Sequence, residues 1–395
     1  MPTPILTTYF QLPVSPVLFR KFFELLQFAL HRRKEFSIPP EGEDWEVMLE
    51  LCRHHTLTGI GYSGVEEAVR KKACEPLRME LTVAWKLLVQ KVENENRRQQ
   101  HDAAVLTEIF RKEGFSTCIL KGQALARLYE HPERREAGDI DVWVWPAGGE
   151  TMSLAERRKK VVAYCNAQLA VPQEVVYHHM AFPVKGKDIE VHFTPSWMSA
   201  PWQNRRLQQF LDEEMPHRMP YCCSEGGKEF FYVPSLAMDR VFVLVHIYRH
   251  LFAEGIGLRQ LLDYDRVLQA TECDEERNRT MALLNALGMR RFTAAMMWVL
   301  HEVFGLDDSK MLCKPDVRRG QRLLKEVLAA GNFGKYDERG TVSHEYGSAS
   351  RFGQIMRRNL RFLTDYPTEV LCMPCWKLWH QWASRRWSPE HAVRR

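Results

Sequence analysis

Residues 137 to 146 read AGDIDVWVWP. From Ile140 to Trp145 the run is dominated by β-branched and aromatic side chains, the composition of a strand. Two carboxylates, Asp139 and Asp141, straddle Ile140 at its start. In an extended chain residues i and i+2 share a face, which sets the two charges about 7 Å apart along the strand. Like charges that close repel unless a cation sits between them. Magnesium takes carboxylate and phosphate oxygens, so the pair reads as a candidate metal site. The plainer reading is a turn leading into a half-exposed strand.

The flanks repeat this mixed character. Upstream, residues 115–120 predict a short strand that passes through Lys121 and Gly122 into a helix over 122–130. A glycine there lets backbone approach a phosphate, a helix N-terminus offers free N–H groups, and Lys121 adds a positive charge. Downstream, a helix over 153–168 precedes two strands, about 174–182 and 187–193, joined by a turn at Val184, Lys185 and Gly186. In the second strand Asp188, Glu190 and His192 share one face. Laid beside the Asp139–Asp141 strand, it supplies Glu190 as a third carboxylate. Three carboxylates can hold two divalent ions, one at the attacking oxygen and one at a triphosphate. The alternative for this strand is a solvent-facing edge.

Outside the block the periodicity is helical. Residues 17–31, 43–55 and 63–74 predict helices, followed by one long helix from Pro76 to Glu113 with a break near Asn94–Asn96 and a stop at Gly114. Helical spacing returns from Pro216 onward, apart from a strand over 230–233. The reading is an α+β chain in three regions: 1–95 helical, 96–215 mixed with a mixed β-sheet, and 216–395 helical.

Composition sets the outer bounds. The chain has 395 residues, 45% hydrophobic and 27% charged, enough for two or three domains of ordinary globular type. A net charge of +5 does not by itself argue for nucleic acid. Residues 351–395 do carry nine Lys/Arg against three Asp/Glu, with Trp376, Trp379, Trp382 and Trp387. Basic-aromatic interleaving suits nucleic acid, but a helix packing its aromatics inward with its arginines in water is the favoured reading. No apolar run reaches the ~20 residues of a membrane span. The first residues lack a signal-peptide pattern and the ten cysteines lack framework spacing, so a cytoplasmic chain with reduced thiols is expected. Cys372 and Cys375 form a CxxC without a second pair, which favours structural cysteines.

Leu120-Lys121-Gly122, Leu125-Ala126, Tyr129, and Arg135 ahead of Gly138-Asp139-Ile140-Asp141 resemble the signature of a largely uncharacterised bacterial nucleotidyltransferase family of the DNA polymerase beta-like superfamily. Residues 189–193, then Pro195-Ser196-Trp197-Met198, Pro201-Trp202, Asn204-Arg205-Arg206, His246 with His250, and 255–263 are similar to it as well. The resemblance implies a polymerase beta-like nucleotidyltransferase domain, a divalent metal (Mg2+ or Mn2+) and an NTP. It assigns Asp139, Asp141 and Glu190 as catalytic metal ligands. Lys121, Gly122, Gln123, Arg135 and Gly138 fall at the nucleotide. Many superfamily members carry Ser or Gly at the position of Gln123, whose amide offers a hydrogen bond but is bulkier.

The remaining candidates have two readings each. Arg135 suits a bidentate phosphate contact or a loop salt bridge. His246 and His250, four apart on an apolar helix, read first as core histidines, second as cleft lining with His192, and last as a zinc pair, for which the HExxH context is missing. Arg259 and Asp263 share the same spacing and either pair with each other or form the cleft wall. His178 and His179 lie on the strand before Glu190, and strand alternation lets one of them face the cleft. The functional expectation is transfer of an NMP group from NTP to an unknown hydroxyl or phosphate acceptor, a small molecule or a protein. Two alternatives stand beside it: a non-catalytic nucleotide- or partner-binding module, and an RNA- or DNA-directed transferase, the less favoured because the basic excess is small.

Overall fold

A computed structural model describes residues 15–184, 187, 189–223, 229–271, 273–331 and 348–387, without the side chains of 348–351 and 354. The first 14 residues, the expected turn at Lys185 and Gly186, and Asp188 lie outside the described residues.

Three helices open the chain: α1 (Pro16–Ala29), α2 (Asp44–His54) and α3 (Thr58–Arg70). Ser15 caps α1, its side chain accepting from the Leu18 N–H, and Pro16 fits the first turn. Phe19, Phe22, Leu25, Leu26 and Phe28 of α1 are buried against the other helices. The 34-residue α4 (Met79–Lys112) follows. It runs unbroken through Asn94–Asn96, where the sequence suggested a break. Asparagine is only mildly unfavourable in a helix, and the buried Asn96 amide donates to the Arg135 carbonyl. One continuous helix therefore crosses the point between residues 95 and 96 where the sequence reading divided the chain.

The sheet comes next. It contains β1 (Phe115–Leu120), β2 (Ile140–Pro146), β3 (His179–Ala181) and β4 (Ile189–His192) in the order β1-β2-β4-β3. The β1–β2 and β3–β4 pairs are antiparallel, while β2–β4 is parallel. A short α5 (Gly122–Ala126) and α6 (Leu154–Gln168) complete the block. Ser153 and Glu156 form a capping box at the start of α6.

Every residue of β2 is buried, because both faces of the sheet are covered. Ile140, Val142 and Val144 pack with Leu106 and Phe110 of α4 and Val161 of α6. Trp143 and Trp145 point the other way, into the core shared with the surrounding helices. Asp141 belongs to this second face. The strand expected over 174–182 shortens to three residues, since the chain folds back on itself: the Val176 N–H donates to the His179 carbonyl at 3.0 Å.

The C-terminal part is α7 (Pro201–Glu214), a hairpin of β5 (Met219–Cys222) and β6 (Phe230–Val233), and then α8 (Leu236–Ala253), α9 (Leu258–Gln269), α10 (Asp274–Ala286), α11 (Arg290–Phe304), α12 (Val317–Ala330), α13 (Ser348–Asn359) and α14 (Pro367–Trp387). Strand β5 stands where helical spacing was expected. Its sequence, MPYC, is largely exposed and gives no period-2 pattern. Helix α8 is apolar nearly all round and buried along most of its length.

Helix α14 packs on the β3 end of the sheet. Trp376 stacks on Trp197 with ring centres 4.3 Å apart, the Tyr177 N–H donates to His380 Nε2 at 3.0 Å, and Arg158 lies over Trp387 at 4.2 Å. Trp382 points outward, 54% exposed, with Arg386 over its ring. All ten cysteines are unpaired. Among the described residues no helix is long and apolar enough to cross a membrane.

Candidate active site

The parallel β2–β4 register sets Asp141 opposite Glu190 and Trp143 opposite His192. Two carboxylates 49 positions apart in sequence thus become neighbours. Asp141 is 2% exposed. Its Oδ1 accepts from Lys121 Nζ at 2.7 Å and from His192 Nε2 at 2.8 Å. Burial pushes this carboxyl up, but the Lys121 charge and the His192 hydrogen bond outweigh burial and hold it well below the usual range. His192 Nε2 also lies 3.3 Å from Glu190 Oε2. Burial disfavours the His192 imidazolium, yet its bonds to Asp141 and Glu190 win and raise its pKa.

Asp139 sits just ahead of β2 and meets solvent at the cleft rim. The negative charge of Asp141, followed by the loss of surrounding water, pushes its pKa up to about 6 despite the opposing pull of Lys121. Asp141, Glu190 and His192 each offer a ligand atom, and the three atoms lie within 4.8 Å of one another.

Histidines 178 and 179 both reach this corner. His179 Nδ1 lies 3.6 Å from Glu190 Oε2 and 3.0 Å from His178 Nε2. Strand alternation does not separate them, because His178 precedes the first residue of β3. Burial first, and neighbouring positive charge second, keeps both neutral: His179 is lowered to about 4 and His178 falls well below 6.5. Arg249, which the sequence reading passed over, lies 4.3 Å above the Trp197 ring, with an amino group 3.4 Å from His178 Nε2. A charged residue inside the apolar run of α8 was the signal available for it.

The strand-to-helix turn is conformationally tight. Lys121 has φ 49° and Gly122 φ 25°, both in the left-handed region. Helix α5 spans only five residues, not the nine expected. Gln123 is 2% exposed, and neither atom of its amide has a hydrogen-bond partner among the described residues.

The loop from His131 to Gly138 is held by the N-terminal helices. Gly59 of α3 abuts the Arg134 carbonyl so closely that an added Cβ would lie 2.2 Å from that oxygen. Glu136 Oε1 accepts from the Thr58 N–H at 2.6 Å, and Gln99 of α4 donates to the Gly138 carbonyl. The loop carries Arg135 inward, where its Nε and one amino group each meet Asp263 at 2.7 Å. The Tyr129 hydroxyl donates to the same carboxylate at 2.7 Å. Arg135 is therefore the loop salt bridge of the sequence reading, buried rather than at the surface, and its fork is taken by Asp263. Asp263 takes Arg135 instead of Arg259, and Arg259 donates to the Glu136 carbonyl at 2.6 Å.

Lys121, Gly122, Leu125, Arg135, Gly138, Asp139, Asp141, His246, Arg259, Gln260 and Asp263 line one narrow cleft that opens to solvent. His246 contributes to this wall and is neutral, its pKa lowered well by burial and by Lys121. His250 stacks edge-on against His246 at 4.2 Å and reaches Glu254 at 3.4 Å. His192 lies behind Asp141, and Glu190 beside it.

A family model described as "Uncharacterised nucleotidyltransferase" matches residues 41–305. The chain belongs to this family. The match takes in the N-terminal helices from α2, the sheet and the helices through α11. The family region therefore spans both sides of the cleft, from the GDID strand to α9. A solved structure, an antigenic nucleotidyltransferase-like protein from Paracoccidioides brasiliensis, is similar over 53% of this chain and 92% of its own, with 12% identity and a TM-score of 0.31. A score that low does not establish a shared fold. No curated protein matches the chain.

Proposed function

We propose that this member of the nucleotidyltransferase family is a divalent-metal-dependent enzyme of polymerase beta-like type, which moves an NMP group from NTP to a hydroxyl or phosphate acceptor. One observation carries the reading: the parallel pairing of β2 with β4, which sets Glu190 beside Asp141, two residues from Asp139. Two carboxylates, Asp141 and Glu190, meet with His192 at one corner, and Asp139, raised by its neighbour's charge, stands beside them; carboxylate oxygens are the donors that magnesium or manganese takes. Asp139, Asp141 and Glu190 would hold it, and it would supply charge neutralisation at the triphosphate and an acidified acceptor.

The chain's own groups do the remaining work. The acceptor oxygen attacks the α-phosphorus, the bond to the bridging oxygen of the β-phosphate breaks, and pyrophosphate leaves. The acceptor proton passes to Glu190, whose Oε2 lies against His192 Nε2. Lys121, on its left-handed backbone, places an ammonium at the edge of the carboxylates and can turn to the leaving phosphates. Positioning of this kind accounts for most of the catalysis in phosphoryl chemistry.

A second reading has an observation of its own. Lys121 and His192 already neutralise Asp141 from within the protein, as suits a module that binds a nucleotide or partner without turnover. Calorimetric titration of the four NTPs with magnesium, followed by a pyrophosphate-release assay, separates the two. The enzyme reading expects magnesium-dependent binding, and release that Asp141→Asn abolishes. Magnesium-independent NTP binding that survives Asp141→Asn, with no pyrophosphate released, would overturn it in favour of the module.

A further inference from the structure

The charges lining the cleft do not all cancel locally. Lys121 is paired with Asp141, and Arg135 with Asp263. Two charges remain, Asp139 on the strand side and Arg259 on α9. Asp139 meets solvent, whereas Arg259 is only 7% exposed. A buried guanidinium without a counter-anion is costly, and proteins ordinarily supply one. Asp263 and Glu136 act on Arg259 through their charge, but among the described residues neither carboxylate forms an ion pair or hydrogen bond with it. Asp263 holds Arg135 and Tyr129, and Glu136 accepts from the Thr58 N–H. Arg259 receives only the Glu136 backbone carbonyl, at 2.6 Å, while its buried Nε has no hydrogen-bond partner among the described residues.

We propose that Arg259 is an anion receptor in this cleft and that its ligand is a phosphate oxyanion. A guanidinium presents parallel N–H donors in a rigid fork that matches phosphate bidentately. Arg259 lines the cleft, and its Nε–H has no partner among the described residues. The same cleft holds Lys121, a second cation that can turn to a phosphate, and Asp139, which remains for a metal. A phosphate chain reaching Arg259 would supply the missing counter-charge there, and a divalent cation bound with it would be needed to offset Asp139. The anion site stands on Arg259's own geometry. Identifying its phosphate with the donor's triphosphate rests on the nucleotidyltransferase reading, and a phosphorylated acceptor is the other source.

The test is calorimetric titration of sodium pyrophosphate into the full-length protein in metal-free buffer with chelator, for wild type, Arg259→Gln and Arg259→Lys. Wild type is expected to bind, with affinity falling as salt rises, and Arg259→Gln to lose on the order of tenfold or more. Arg259→Lys keeps the charge but loses the fork, and should fall between them. If Arg259→Gln fails to fold by circular dichroism, the lysine variant decides, with the pyrophosphate-induced rise in wild-type melting temperature as a second readout. Absence of pyrophosphate binding to wild type, or equal affinity in wild type and a folded variant, overturns the proposal.

NTP then identifies the source. Competitive displacement of pyrophosphate by NTP assigns the site to the donor's triphosphate, and simultaneous binding assigns it to a phosphorylated acceptor. The two readings also fail separately. Pyrophosphate binding that depends on Arg259, with no NTP binding under any metal condition, keeps the anion site and removes the nucleotidyltransferase reading. Magnesium-dependent NTP binding by a wild-type protein whose metal-free pyrophosphate affinity is zero or unchanged in Arg259→Gln does the reverse.

Discussion

Replacing Asp139 by Asn should make the metal-free protein more stable while removing its response to magnesium. The argument starts from the charge of Asp141, which raises Asp139 from its ordinary value of 3.8 to about 6. Below pH 3.8 the group is protonated whether the chain is folded or unfolded, and the native state bears no penalty. As pH rises through 3.8 the unfolded chain ionises freely, while the folded chain resists until about pH 6. A raised carboxyl therefore gives relative stability at low pH that is lost by the time the pH passes its folded value. Fully enclosed, such a displacement would be worth about 3 kcal/mol. Asp139 meets solvent, so screening reduces the expectation to about 1 kcal/mol. Urea unfolding with chelator present should show Asp139→Asn more stable than wild type by about that amount at pH 7.5, with the gain shrinking at pH 4.5. Added magnesium should stabilise wild type and leave the variant unchanged. A variant no more stable than wild type at pH 7.5, or a gain independent of pH, would refute the claim that like-charge repulsion is stored at this site.

Two further expectations concern the frame around the cleft. Asp263→Ala leaves the buried Arg135 without its counter-charge and should cost about 3–5 kcal/mol in urea unfolding. Tyr129→Phe should cost about 1 kcal/mol, and because the bond it removes is the one Tyr129 gives to Asp263, the Asp263→Ala/Tyr129→Phe double variant should cost less than the sum; strict additivity would deny the shared network. Gly122→Ala meets no crowding, since the nearest atom to an added Cβ is the Asp139 carbonyl oxygen at 3.7 Å. The cost should come from the backbone at φ 25°, about 1 kcal/mol by thermal or chemical unfolding, and an unchanged stability would show that the turn relaxes freely.

How much of this was legible without coordinates depends on the range of the interaction. Strand β1 lies where a short apolar run after Gly114 put it, and β2 matches the β-branched and aromatic run after GDID. Helix α6 begins at a Ser-x-x-Glu capping box readable by eye. These are local signals, set by side-chain shape and backbone preference. Strand β5 was missed because an exposed four-residue edge carries no alternation. The break expected in α4 was absent because a weak local preference yielded to packing, with Asn96 buried at the Arg135 carbonyl.

By itself the sequence determined a mixed αβ block between helical regions, the pair of crowded carboxylates at residues 139 and 141, and the glycine turn at 122. Tertiary structure decided which groups meet. Parallel pairing of β2 with β4 chose Glu190 as the neighbour of Asp141, a contact no turn geometry could specify because residues 147–188 intervene. Packing of α9 against the loop from His131 gave Asp263 to Arg135 and left Arg259 without an ion-pair partner among the described residues. Two arginines and one aspartate at plausible spacings admit either pairing on paper. Burial settles it, because a low-dielectric interior rewards the one bidentate geometry the backbones allow and leaves the other charge for a ligand to satisfy.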